Sequence, residues 1–338
     1  MLKLTIVVGH STTPYISVYP WSNNFWTKIA DPSTLPGVQS TVTVLSPDGN
    51  YVAVGSNGSP FLQVYPWTGQ FGNKVANPSI AATGGVGVAW SPNGDYIATA
   101  SLSSPYINIY PWSNGAFGAR LPDPSPLPPL TSRNISWSSD GNYIALTSDT
   151  SPRVVVYPFN NGVLGSKFAD ASTIPPGAGG GVAFSPKGDY LAVGFGTSSP
   201  FIYVYPWSSA GFGTRVADPS TVPTNQIKGI AWSLDGTYLA CASAATPFIL
   251  VYPWSAGFGA KLADPSTLPT GAGQAVAFSP DGAYIAVAHT TTPFVSVYPW
   301  NAGFGAKLAD PSTLPTGNGD GVAWLNPPNL KHLARCLT

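Results

Sequence analysis

The chain has 338 residues with 14 basic and 14 acidic side chains, a formal net charge of zero, so there is no basic field to draw nucleic acid and no acidic tail. Its acids are all aspartate, and 37 glycines with 36 prolines leave few segments fit for helices. Length alone would allow two domains, but a repeat runs through almost the whole chain.

At the amino end, "MLKLTIVVGHSTTPY" starts like a signal peptide, a lysine followed by apolar residues. Its apolar run is too short, and it aligns with "AYIAVAHTTTPF" near the other end, so it reads as a repeat strand, Leu4 to His10. No run approaches the roughly 18 apolar residues of a membrane span. A soluble protein without a signal peptide is expected.

The tyrosine of a "VYPW" motif then recurs at Tyr19, Tyr65, Tyr110, Tyr157, Tyr205, Tyr252 and Tyr298. Seven copies with a period in the forties, each holding short β-runs between turn residues, predict blades of four strands. In the last full copy "QAVAFSP" is the inner strand, "DG" a tight turn, "AYIAVAH" the second strand and "PFVSVYPW" the third; a short hairpin "NAGFG" leads to an outer strand "AKLAD". The same turn appears as Asp48-Gly49, Asn93-Gly94, Asp140-Gly141, Lys187-Gly188 and Asp235-Gly236.

The last recognisable element is "DGVAWLNP", Asp320 to Pro327, an inner strand with no blade of its own. It is expected to pair with the N-terminal strands and close the ring, removing two sheet edges. The expected fold is therefore all-β: one seven-bladed β-propeller over residues 1–327, four antiparallel strands per blade, with residues 328–338 as a tail.

The strand order, the "SPDG" turn and the aromatic end of the third strand resemble WD-repeat propellers, with "IYVYPW" (Ile202 to Trp207) where that family has its Trp-Asp pair. Tyr205 takes the place of the tryptophan and Pro206 that of the aspartate, so the family's internal hydrogen-bond network should be missing. The phrasing "YLAVGFGTSSPFIYVYPW" and "LADPSTLP" is similar to divergent WD-like repeats of tailed-bacteriophage virion proteins.

Inner strands place Val88 and Trp90, Ile135 and Trp137, or Val322 and Trp324 on one face and Ala89, Ser136 or Ala323 on the other, so a bulky face can meet the next blade's small one. A cation recurs at Lys28, Lys74, Arg120, Lys167, Arg215, Lys261 and Lys307, followed three residues on by Asp31, Asn77, Asp123, Asp170, Asp218, Asp264 and Asp310. The cations are expected to guard the outer edge, and the aspartates to accept a backbone N–H in an Asx turn. Glycine clusters such as "GAGGGVAF" are followed by no helix and so do not read as phosphate loops; crowding of inner strands around the axis explains them better.

Chemistry is sparse. His10 and His289 align with Ser56, Ser101, Ser148, Gly196 and Ser243, and with Asp320 they suggest a metal site only if they lie near the axis. No Ser-His-Asp or paired-carboxylate spacing exists, so no enzyme, metal or cofactor is expected. Cys241 reads as core, and it forms no disulfide framework with Cys336.

Two binding surfaces remain. The channel mouth varies from copy to copy, as Thr41, Val86, Arg133, Gly180, Lys228, Gln274 and Asp320, and Arg153 replaces an aromatic in the fourth blade behind an unusual loop, "DPSPLPPLTSRN". Arg133, Arg153, Lys228, Gln274 and Asp320 are thus candidates for contact with a protein partner. The hairpin residues Trp21, Trp67, Trp112, Trp207, Trp254 and Trp300 could instead stack on sugars and make a multivalent lectin, or be buried. The leading expectation is a non-catalytic structural or adhesive propeller, a phage virion component made in the host cytoplasm that contacts other virion proteins; the alternative is a carbohydrate-binding propeller on a surface glycan.

Overall fold

The computed structural model describes residues 4–325 apart from 26 and 85. Short apolar runs broken by turns give strands, and no helix, among those residues. Seven antiparallel sheets form. Ser40–Leu45, Tyr51–Ser56 and Leu62–Pro66 make one, and the order repeats as far as Gly273–Phe278, Tyr284–His289 and Val295–Pro299. We number blades 1 to 7 by their second strands, from Leu4–His10 onward. Inner strands touch in a closed cycle, Gly273–Phe278 beside Gly319–Leu325 and that beside Ser40–Leu45. The chain is a seven-bladed β-propeller.

Closure follows the expected pairing. Gly319–Leu325 runs antiparallel to Leu4–His10, with Val322 opposite Val8 and Trp324 opposite Ile6, and Leu4–His10 pairs in turn with Ile16–Trp21. The inner edge left open by the first strand is thus covered by the last. The tail assigned to residues 328–338, with Cys336, lies outside the described residues.

Blades stack large against small. Ile135 and Trp137 of blade 4 pack on Ala98, Ala100 and Ile109 of blade 3, and Val322 and Trp324 of blade 1 on Ala275, Ala277 and Ala286 of blade 7. Burying a ring of this size contributes several kcal/mol, at roughly 25 cal/mol per Å², before chain entropy is subtracted.

The outer strand is where the structure departs from expectation. "AKLAD" and its equivalents are not strands; the fourth element is a two-residue ladder, as at Ala116–Phe117, Val163–Leu164 and Gly211–Phe212, or a single bridge such as Trp67 with Phe71. The cause lies in "VYPW". Pro66 and its equivalents bring no N–H to the outer edge, so the ladder cannot continue past them. The Gly72 N–H still donates to the Pro66 carbonyl at 2.8 Å, and the Val75 N–H returns once to the Val64 carbonyl at 2.9 Å.

The motif tyrosine has its own task. Tyr205 is fully buried, and its hydroxyl donates to the Thr173 carbonyl at 2.6 Å, in the linker that enters the same blade. Tyr19, Tyr110, Tyr157, Tyr252 and Tyr298 do the same with Thr313, Ile80, Pro126, Thr221 and Thr267. In blade 2 the Tyr65 hydroxyl turns to the Gln63 side chain instead, at 3.3 Å. The linker aspartates serve the cation rather than an Asx turn: Lys28 pairs with Asp31, Arg120 with Asp123 and Lys307 with Asp310, while Lys74 meets Asn77 at 2.6 Å.

Candidate active site at the axial mouth

One irregularity positions the site. In six blades the pairing between inner and second strand slips by a residue near the start of the inner strand: between Ser40 and Val42, Ser132 and Asn134, Gly179 and Val182, Ile227 and Gly229, Gly273 and Ala275, and around Asp320 where the chain closes. Such β-bulges bend the strand and re-aim a side chain. The extra residues are Thr41, Arg133, Gly180 with Gly181, Lys228, Gln274 and Asp320. These are the mouth positions read from the sequence, and together with Val86 all seven line one axial cavity of about 680 Å³.

At the mouth, chemistry gathers on one arc. The Lys228 ammonium donates to Gln274 Oε1 at 2.9 Å, and Gln274 Nε2 donates to the Ala272 carbonyl at 3.3 Å. On the other side Gln39 Nε2 donates to Asp320 Oδ2 at 2.8 Å, and Gln39 Oε1 accepts from Asn57 at 3.2 Å. Burial pushes the Asp320 carboxyl up to about 6, against the pull of the Gln39 bond and of Lys228. Burial likewise lowers Lys228 below the ordinary lysine value, with Asp320 opposing the change. The two charges each moderate the other's desolvation.

A glycine wall closes one side. A Cβ at Gly180 would stand 2.0 Å from the Ile227 carbonyl oxygen, so blade 5 can present no side chain here. Arg133 flanks this gap from blade 4 and is anchored by Asp149, Nε to Oδ2 at 2.8 Å, and Arg153 donates to the Asp149 carbonyl. Arg133 and Arg153 are therefore joined through one aspartate, but Arg153 is not among the cavity-lining residues. Reading the sequence alone misses Gln39 and Asp149. The sequence carries no distinct signal for Gln39, since the residues two before the mouth position in other copies are Gly84, Thr131, Ala178, Gln226, Ala272 and Asn318.

Other candidates lie elsewhere. The six hairpin tryptophans are between 2 % and 8 % exposed. Trp207 meets Phe212, Phe168, Phe184 and Tyr143 edge-to-face, and Trp254 meets Phe258, Trp232 and Tyr190 similarly. Their faces are covered by rings, which corrects the sugar-stacking expectation for Trp21, Trp67, Trp112, Trp207, Trp254 and Trp300. His10 and His289 are wholly buried, each bonded through Nε2 to the third strand of its own blade, at Ser17 (3.1 Å) and Ser296 (3.0 Å). Burial holds both near 4 and so neutral at physiological pH. Ser101 with Asn108 (2.9 Å) is the same cross-strand pair in blade 3. In blade 5 the position belongs to Phe195, edge-to-face with Tyr203, and not to Gly196 as the aligned copies suggest. Among the described residues no three His, Cys, Asp or Glu converge on a metal-sized site, and no helix is long and apolar enough to cross a membrane.

The family described as "WD domain, G-beta repeat" matches residues 79–104, one blade-to-blade passage. No curated protein matches the sequence. Among solved structures, the chain resembles a proposed 6-phosphogluconolactonase from Bacteroides uniformis, with 19% identity, TM-score 0.70, and 96% of this chain and 100% of that one covered. It also resembles the Pseudomonas aeruginosa periplasmic gluconolactonase PpgL, with 15% identity, TM-score 0.69, and 96% and 100% covered. A third likeness is the β-propeller domain of Cps50 (Swd1) from Myceliophteria thermophila, with 14% identity, TM-score 0.58, and 81% and 88% covered. At these identities the likeness establishes a WD-like propeller fold. It also corrects two expectations. Propellers matching this one from end to end carry the names of lactonases, so the expectation of a non-catalytic structural or adhesive virion component, with its lectin alternative, and the expectation of no enzyme give way to a catalytic reading.

Proposed function

We propose that the chain is a hydrolase that opens a small, polar cyclic ester, a sugar lactone, at the axial mouth. The observation that carries this reading is the convergence of a carboxyl and an ammonium, Asp320 and Lys228, each fixed by a glutamine, at the opening of a single cavity. The names of the similar propellers point to the same substrate class.

The chemistry follows from the two groups. A carboxyl near 6 is ionised at neutral pH yet basic enough to take a proton from water, which suits a general base. The water oxygen attacks the lactone carbonyl carbon while its proton passes to Asp320. Lys228 faces the negative charge that develops on the carbonyl oxygen. Collapse of the tetrahedral intermediate breaks the ring C–O bond, and the proton held by Asp320 goes to the departing alkoxide, leaving a hydroxy acid. Gln39 and Gln274 set the positions of base and cation, and Arg133 across the glycine wall offers a second cation to the substrate's oxygens.

Acid release from D-glucono-1,5-lactone and from its 6-phosphate, followed with a pH indicator against the spontaneous rate, tests the proposal. Turnover of either lactone that drops by about 100-fold or more in Asp320→Asn supports it. Rates equal to the uncatalysed background with both lactones reject it.

A further inference from the structure

On the face opposite the mouth, where the inner-strand turns lie, grooves run between neighbouring blades. Two are polar. Asp48, Asn50, Asn93 and Asn114 are among the residues lining the one between blades 2 and 3, and Asp140, Asn142 and Asn160 among those lining the one between blades 3 and 4. The groove between blades 6 and 7, of about 670 Å³, is different: Leu234, Tyr238, Phe278, Pro280 and Trp300 give it apolar walls.

Two residues set this groove apart. Leu234 occupies the turn position that Pro47, Pro92, Ser139, Pro186 and Pro280 hold elsewhere, and at 69 % it is the most exposed large apolar side chain among the described residues. Ala283 stands where Asn50, Asn142 and Thr237 donate to the second carboxylate oxygen of their turn aspartates. Asp281 therefore accepts from the Ser279 hydroxyl and the Ala283 N–H through Oδ1, while Oδ2 accepts from no described residue. Asp235 lines the same groove, and no Lys, Arg or His does. An apolar trough with two carboxylates and no cation complements one kind of side-chain pair.

We propose that this groove binds an extended segment of a partner protein carrying an apolar side chain beside a basic one, the apolar group against Leu234 and Phe278 and the cation on Asp281 Oδ2. The site is independent of the mouth, which lies at the other end of the inner strands.

The test is a titration of the full chain, ¹³C-labelled at leucine methyls, with the peptide Ac-Leu-Arg-Leu-Lys-NH2 and, separately, Ac-Leu-Glu-Leu-Glu-NH2. Saturable shifts of the Leu234 methyls by the basic peptide, with the acidic one at least about tenfold weaker, are expected. Ala283→Asn, which gives Oδ2 the local donor that other turns possess, should weaken the basic peptide about fivefold or more with no loss of thermal stability. Equal binding of both peptides, no saturable Leu234 shift, or undiminished binding by Ala283→Asn overturns the proposal. So do Leu234 shifts that depend on protein concentration without peptide, which would make a second copy of the chain the occupant.

Discussion

Asp320→Asn keeps the shape of the side chain and an oxygen able to accept from Gln39, but cannot ionise. The native structure raises the carboxyl from 3.8 to about 6, so folding favours the protonated acid. Its support is present below the ordinary value and is lost as pH rises through about 6. Asparagine escapes that loss. Ionising a carboxyl held this far above its ordinary value costs about 3 kcal/mol. Partial solvent access and the forfeited attraction of Lys228 reduce the expected gain to about 2 kcal/mol at pH 8. Near pH 4, where the acid is protonated in the folded state but already somewhat more than half ionised in the unfolded state, the gain should shrink to about 0.5 kcal/mol. Urea unfolding followed by tryptophan fluorescence, for both proteins from pH 4 to 8, measures the difference; the buried histidines affect both equally and cancel. A gap that does not change with pH, or a variant weaker than wild type at pH 8, would refute the account of Asp320.

Lys228→Met should raise the Asp320 carboxyl further, moving the acidic limb of the pH–rate profile upward, because Lys228 acts to lower it; an unmoved limb would separate the two groups. His10 is neutral by burial, so its contribution is present above the ordinary 6.5 and is lost as pH falls through about 4. Exchanging it for the blade 2 pair, His10→Ser with Ser17→Gln, should move the acid-unfolding midpoint lower, read by circular dichroism. Tyr205→Phe removes the donor to the Thr173 carbonyl and should cost about 1–2 kcal/mol in chemical denaturation, whereas Tyr65→Phe, with its long bond to a side chain, should cost under about half of that. Gly180→Ala forces a Cβ onto the Ile227 carbonyl and should destabilise by about 3 kcal/mol or prevent folding, visible as a lowered melting temperature.

Much of this scaffold is legible because every blade solves the same packing problem with the same residue types. The recurrence of Tyr19 through Tyr298 fixes blade number, and the orphan inner strand at Asp320 fixes closure. The mouth is legible for the opposite reason: copies that largely agree along their strands disagree there, at Arg133, Lys228, Gln274 and Asp320. What failed was local. "AKLAD" follows a proline whose missing N–H matters only once the third strand's outer edge is seen. The one-residue slip at six of the mouth positions leaves no mark in a period-two pattern, and a loop one residue longer before Pro200 hides that Phe195, not Gly196, takes the aligned place. Whether Trp207 is bare or covered depends on Tyr143 and Phe184, far away along the chain. No known triad signals catalysis in the sequence, because the Asp320 carboxyl is raised by burial at the mouth and meets its Gln39 partner only when the ring closes.

The bulges carry a consequence for how such a molecule can diversify. A bulge residue is surplus to the ladder count, so the hydrogen bonds that hold the inner strands do not depend on its side chain. Gly180 aside, where a Cβ would meet the Ile227 carbonyl, the opening of the channel is then a row of sockets on a frame indifferent to what is plugged into them. A gene duplicate could acquire a new ligand by changing a handful of codons, one socket at a time, while inheriting its folding intact.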